Sequence, residues 1–469
     1  MNHEDLCFMP ATELVAAIRA KKVSPVEVTE AILARIERLN PLLNAYCTLT
    51  VEEARQAAKA AEAAVMRGDP LGPLHGVPVS IKDLVITKGV RTMRGSKIYE
   101  HFVPDEDAPV VERLKAAGAV ILGKTTTPEF GWKGVTDSPV TGITRNPWNL
   151  ERTSGGSSGG AGAAVAAGLG PLAQGSDGGG SIRIPSSFCG IYGLKPTYGR
   201  IAAYPPSAME TFSHIGPMTR TVKDAALMMT VMAGPDERDR LSLPAQDIDY
   251  LGATEGTLRG LRVAWSPNLG YAHVDPEVAQ ITEAAVKAFS DLGCQVEQAD
   301  PGFENPEPFF SVLWIGGIGT MVSEYLPQWE PLMDPGLVKF AKQVYNLTAR
   351  EYVQATFKRV EHWQKVRKFF ENYDLLLTPS VAVPAFPVGI ESPPEIAGHK
   401  ISWTEWTPFT YPFNLTGQPA ATVPCGWTRE DLPIGLQIVG RRYDEATVLR
   451  ASAAFEAAKP WAARRPKIG

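Results

Sequence analysis

Two short glycine- and serine-rich segments hold the residues best suited to chemistry: Ser154-Gly155-Gly156-Ser157-Ser158-Gly159-Gly160 and Gly175-Ser176-Asp177-Gly178-Gly179-Gly180-Ser181. Glycine is costly to order unless the backbone must reach positive φ or approach something closely. Three consecutive glycines before a serine therefore suit a turn whose N–H groups converge on one point. An oxyanion hole needs that arrangement, with donors about 3 Å from the developing charge. For either segment alone, a glycine-rich linker or tight turn is the competing explanation. Lys82 is the third residue of interest. It lies inside the apolar run 79–85, where burial is expected, and Asp83 is an alternative structural partner for it.

The elements around these residues can be read in outline. Ser24-Pro25-Val26-Glu27 is a capping box with proline at the first helical position, opening a helix to about Leu39. A second, alanine-rich helix runs from Thr50 and stops at Gly68. Lys82 falls in strand-like sequence over 74–85. A helix over 110–117 precedes a buried strand over 119–122, and a small-residue helix over 159–167 leads to another strand over 171–174. Residues 261–265, 276–292 and 294–297 read as a βαβ unit, and 235–370 is otherwise weakly patterned and aromatic. Strands over 420–424 and 435–439 and an amphipathic helix over 444–458 close the chain. Helices alternating with strands imply an α/β fold with a mixed, largely parallel central sheet covered on both faces.

Composition narrows the function. The 469 residues, 44% hydrophobic and 21% charged, can bury a large core. With 46 basic against 51 acidic residues, a net charge of −5 and no Lys/Arg-rich run, a nucleic-acid partner is not expected. The N-terminal residues lack a basic and apolar leader pattern, and no stretch is long and apolar enough to suggest a membrane span. Cys7, Cys47, Cys189, Cys294 and Cys425 are odd in number and scattered, fitting neither a disulfide framework nor a zinc site. A reducing cytoplasm is the expected location.

The chain resembles the amidase signature family. The resemblance rests on Gly76-Val77-Pro78-Val79-Ser80-Ile81-Lys82-Asp83, Gly155-Gly156-Ser157-Ser158-Gly159-Gly160 and Asp177-Gly178-Gly179-Gly180-Ser181-Ile182-Arg183-Ile184-Pro185. It continues in Cys189-Gly190-Ile191-Tyr192-Gly193-Leu194-Lys195-Pro196-Thr197, Phe413-Asn414-Leu415-Thr416-Gly417-Gln418-Pro419 and Gly435-Leu436-Gln437-Ile438-Val439-Gly440. It implies a triad of Lys82, Ser157 and Ser181, with a cis peptide bond before Ser157. A serine hydroxyl is a weak nucleophile until a base takes its proton, and a neutral lysine can be that base where burial depresses its pKa. Ser157 then relays the proton. The oxyanion donors are expected from Gly178, Gly179, Gly180 and Ser181, with Ser158, Asp177 and Arg183 bracing the loop. Ser176 and Gly178 depart from the threonine, or threonine or isoleucine, usual in the family.

Other motifs compete. Gly118-Ala119-Val120-Ile121-Leu122-Gly123-Lys124-Thr125 satisfies the Walker A pattern, but its middle reads as a strand and Pro128 interrupts any following helix. Gly155-Gly156-Ser157-Ser158-Gly159 matches the nucleophile elbow of Ser-His-Asp hydrolases. His214, His273, His362 and His399 lack the matching strand-end context and read as surface or loop residues.

The resemblance implies one domain over 1–469: N-terminal helices over 10–70, a catalytic core over 71–235, a pocket-forming region over 236–370 and a core return over 371–469. The expected function is hydrolysis of an amide C–N bond through an acyl-enzyme on Ser181, without metal or organic cofactor. The aromatic content favours hydrophobic or aryl amides, anilides or carbamates. Gly131, Trp403, Trp406 and Phe409 are the candidate substrate contacts. Alternatives are an amidotransferase subunit using glutamine with a partner chain, a Ser-His-Asp esterase and a non-catalytic accessory subunit. The first is disfavoured because 403–413 is aromatic with Glu405 its only acid. A small-molecule substrate is the expected partner, and a homodimer is left open.

Overall fold

The strand that carries Lys82, Pro78–Lys82, is buried along its whole length, with Ser80 and Lys82 as buried polar residues between apolar ones. In the computed structural model, which describes residues 2–468, it is the second of eleven strands in one sheet. In chain order these are β1 (Tyr46–Leu49), β2 (Pro78–Lys82), β3 (Val120–Thr125), β4 (Leu172–Asp177), β5 (Tyr192–Lys195) and β6 (His214–Thr219). They continue with β7 (Arg262–Trp265), β8 (Gln295–Gln298), β9 (Leu375–Pro379), β10 (Ala420–Trp427) and β11 (Pro433–Gly440). Across the sheet they lie in the order β1-β3-β2-β4-β6-β5-β10-β11-β9-β7-β8.

The fold is α/β, as expected, but the sheet is not largely parallel. Six neighbouring pairs are antiparallel and four are parallel. The βαβ unit of β7, helix Pro276–Asp291 and β8 is present. Elsewhere β6 inserts between β4 and β5, antiparallel to both, and β10 and β11 form a hairpin. Alternation of helix and strand along the chain does not reveal such insertions.

Parallel pairing is what builds the site. β2 and β4 align Val79 with Leu172, Ser80 with Ala173 and Ile81 with Gln174. Their carboxyl ends, Lys82 and Ser176–Asp177, therefore emerge at the same edge, where open α/β sheets place their ligands. The helix Gly159–Ala166 lies against β2, β3 and β4 with every residue buried. Gly160 permits that approach, because a Cβ there would collide with the backbone of Thr126. Ser157 and Ser158 thus reach the same sheet edge just ahead of this helix.

A separate aromatic cluster, including Phe130, Trp132, Phe310, Trp314 and Tyr411, covers that edge. The weakly patterned stretch supplies helix Glu307–Trp314 and the 24-residue helix Ala349–Asn372, which pack on each other. Among the described residues no single helix is long and apolar enough to cross a membrane.

Candidate active site

Lys82 is fully buried, and its Nζ donates to Ser157 Oγ at 2.7 Å and Ser176 Oγ at 3.0 Å. Burial pulls its pKa down from 10.5 to about 7, with Asp177 pulling weakly the other way. Loss of water around an ammonium favours the neutral amine, so a large share of Lys82 is free base near neutrality. Asp83 is not its partner. Successive side chains on a strand face opposite ways, and the Asp83 carboxylate accepts instead from the Met93 N–H at 3.1 Å.

The peptide bond Gly156–Ser157 is cis. Ser157 and Ser181 are both buried, and the Ser158 N–H donates to the Ser181 carbonyl at 3.2 Å. The Ser158 hydroxyl donates to the Ser176 carbonyl at 3.1 Å, tying the two glycine-rich loops together. The hydrogen bonds of the structure join Lys82 to Ser157 but do not join the Ser157 and Ser181 hydroxyls. Such links commonly tighten only with substrate present.

Asp177 organises the second loop. Its carboxylate accepts from Gly180 N–H at 2.7 Å and Ile182 N–H at 3.2 Å, and from Asn414 Nδ2 at 2.8 Å. Arg183 grips it bidentately through Nε at 3.0 Å and Nη2 at 2.9 Å. Burial works to raise the Asp177 pKa, but Arg183, Lys195 and Asn414 overcome it and hold the carboxyl well below the usual range. Arg183 in turn donates to the Thr410 carbonyl, Gln437 Oε1 and Asn414 Oδ1. Asp177, Arg183 and Ser158 are thus hydrogen-bonded within and between the two glycine-rich loops.

The Gly180 N–H, expected as an oxyanion donor, instead donates to Asp177 Oδ1 at 2.7 Å. Gly180 is there for its backbone: φ is +132°, and a Cβ would lie 2.5 Å from Thr410 Oγ1. That hydroxyl donates to the Gly179 carbonyl at 2.6 Å.

Ser181 opens on a cavity lined by Gly131, Trp132, Phe310, Trp314, Trp403 and Trp406, among others. Gly131, Trp403 and Trp406 thus lie on its wall. Phe409 does not: it is fully buried in a neighbouring apolar cluster with Phe188 and Phe413. Trp406 belongs to the same cluster and also reaches the cavity wall.

The histidines are not all surface residues. His214 is buried behind the loop, its Nδ1 2.9 Å from the Phe212 carbonyl, and His362 is buried against the Pro412 carbonyl. Neither is bonded to Ser157 or Ser181. Lys124 of the Walker-like segment is a strand residue, fully buried and bonded to Thr87 Oγ1 at 3.0 Å and Thr92 Oγ1 at 2.9 Å. Sequence reading missed Ser176 as a lysine partner and Thr410, Asn414 and Gln437 as loop supports. Asn414 and Gln437 stand inside two of the family motifs, and a buried polar residue within an apolar motif is the feature that could have marked them.

A family model described as Amidase matches residues 27–449. The chain belongs to the amidase signature family. An acylamidase of Rhodococcus erythropolis is 43% identical, covering 99% of this chain and 98% of that one. A glutamyl-tRNA(Gln) amidotransferase subunit of Moorella thermoacetica is 38% identical, with 99% of each chain covered. The crystal structure of a bacterial aryl acylamidase of the same family superposes with a TM-score of 0.92 at 32% identity, covering 98% of this chain and 99% of that one. This amidase signature protein is a hydrolase of amide C–N bonds, and small-molecule amides fit it as substrates.

Proposed function

We propose that the enzyme cleaves hydrophobic or aryl amides through an acyl-enzyme on Ser181, with Lys82 as base and Ser157 as relay. The observation that carries this reading is the buried Lys82 amine, its pKa pulled down to about 7, 2.7 Å from Ser157 Oγ. Ser181 Oγ attacks the carbonyl carbon as its proton passes to Ser157, whose own proton passes to Lys82. The N–H groups of Gly178, Gly179 and Ser181 receive the tetrahedral oxyanion, the step at which preformed donors contribute most. Collapse breaks the C–N bond while Lys82 returns the proton through Ser157 to the leaving nitrogen. Water then enters where the amine left, loses a proton by the same route and frees the acid and Ser181.

The tryptophan-lined cavity supports an apolar or aryl group beside the scissile bond, with anilides and carbamates as candidates. The amidotransferase alternative stays disfavoured by the aromatic character of 403–413, where Glu405 is the only acid. We place the enzyme in the cytoplasm and treat residues 1–469 as one working unit. A fluorophosphonate probe should add mass to the wild-type protein at Ser181 and none to Ser181→Ala. Hydrolysis of a panel of anilides, alkyl amides, carbamates and glutamine should be fastest for the anilides and lost in Ser181→Ala. Labelling that survives the substitution, or glutamine as the best substrate, would refute the assignment.

A further inference from the structure

A second chamber lies beside the catalytic lysine and shares no lining residue with the tryptophan-lined cavity. Ser176 joins it to the catalytic machinery: its hydroxyl contacts Lys82 Nζ at 3.0 Å and its side chain lines the chamber. Leu84, Phe130, Ile215, Ile318 and Met321 make much of the wall apolar. Arg94 and Ser213 add polar groups to the same wall.

Arg94 is the unusual member. Its backbone is fixed, with φ +54°, the N–H donating to the Asp83 carbonyl and the carbonyl accepting from Phe130 N–H. Its guanidinium lies 4.7 Å from the Tyr99 ring centroid and 5.8 Å from that of Phe102, not against a carboxylate. Its Nε is buried without a hydrogen-bond partner. An arginine fork left unpaired beside an apolar wall matches a planar anion carrying an apolar body.

We propose that this chamber binds an amphipathic monocarboxylate through Arg94, the chemical class of the acid released when an amide with an apolar acyl group is cleaved. Binding itself does not depend on the catalytic assignment. Its role as a product site rests on the proposed function. Because the chamber shares no lining residue with the tryptophan-lined cavity but includes Ser176, the hydrogen-bond partner of Lys82, acid bound there slows turnover instead of only competing for the substrate cavity.

The test uses octanoate, with octanol as the uncharged control, and calorimetry on Ser181→Ala, where no chemistry intervenes. Octanoate should bind, and adding Arg94→Gln should weaken it at least about tenfold while octanol is unaffected. Met321→Trp, which narrows the chamber and leaves the guanidinium in place, should weaken both ligands. With the wild-type enzyme, octanoate should lower kcat for an anilide. Octanoate binding unchanged by Arg94→Gln and by Met321→Trp, or purely competitive inhibition, would overturn the proposal. If Arg94→Gln fails to fold, Arg94→Lys and Met321→Trp carry the same comparison. Failure of Ser181 labelling alongside Arg94-dependent binding would refute the catalytic assignment and leave the chamber intact.

Discussion

Lys82 should destabilise the protein it serves, and replacing it with methionine tests this without reference to activity. Folding takes an amine with an ordinary pKa of 10.5 and holds it at about 7 by burial. The folded value lies below the unfolded one, so between those two pH values the unfolded chain binds the extra proton. Wild-type stability therefore rises with pH across that window. At pH 7 the folded amine is about half protonated, and at about 1.36 kcal/mol per unit the cost of burying it is on the order of 4 kcal/mol. Methionine removes that cost but forfeits the hydrogen bonds to Ser157 and Ser176, together about 2 kcal/mol. The net at pH 7 is a gain of about 2 kcal/mol for Lys82→Met. With about 2.1 cal/mol/K of unfolding entropy per residue over 469 residues, each kcal/mol moves the Tm by about 1 °C. Scanning fluorimetry should show Lys82→Met melting about 2 °C above wild type at pH 7 and about 2 °C below it near pH 10.5, once wild type no longer bears the desolvation cost. Other groups titrate alike in both proteins and cancel. A variant less stable than wild type at pH 7, or a difference that does not change with pH, would show that Lys82 is charged in the folded enzyme and refute its role as resting base.

Three further outcomes follow from the same geometry. The kcat/KM of wild type should rise with pH through about 7, and Ser176→Asp, which puts a carboxylate against the Lys82 amine, should move that limb about 1–3 pH units alkaline with activity restored at high pH. Gly131→Ala should lower kcat at least about tenfold, read in initial rates with an anilide, because the new Cβ would lie 2.8 Å from Leu84 Cδ1 and 3.2 Å from Ser157 Oγ at a residue with φ +72°. Arg183→Met should cost about 3–5 kcal/mol by leaving the Asp177 carboxylate buried without its cation, seen as a drop of several degrees in Tm.

Much of the site was legible in the sequence because its chemistry depends on short contiguous motifs. The glycines of 155–160 and 178–180 marked two turns, and Lys82 stood out as a charge inside an apolar strand. The sheet's pairing was less legible. β9, Leu375–Pro379, is buried at every position, so nothing alternates along it, and β6 contains Gly216 and Pro217, which argue locally against a strand. Its place between β4 and β5 is fixed by contacts with residues more than twenty positions away. The pocket wall was harder still. Trp403, Trp406 and Phe409 are equally aromatic in sequence, and only the path of the backbone decides that Phe409 stays wholly in the core while Trp406, in the same cluster, and Trp403 reach the cavity wall.

Asp177 links the two halves of the machinery in a way no single motif reveals. Its oxygens hold the Gly180 and Ile182 N–H groups and thereby fix the turn that presents Gly178, Gly179 and Ser181. The same negative charge is the one that raises the Lys82 pKa against the effect of burial. An unpaired carboxylate here would fix the turn equally well but hold Lys82 protonated, and a neutral amide would free Lys82 but grip the turn less firmly. Arg183 reconciles the two demands. Its guanidinium pairs with the Asp177 carboxylate while leaving the oxygens able to take backbone donors. Loss of Arg183 should therefore do more than destabilise: in any Arg183→Met protein that remains folded, the alkaline shift of the pH–rate limb should accompany the fall in Tm. A fall in Tm with the limb unmoved would show that Asp177 acts on the loop alone.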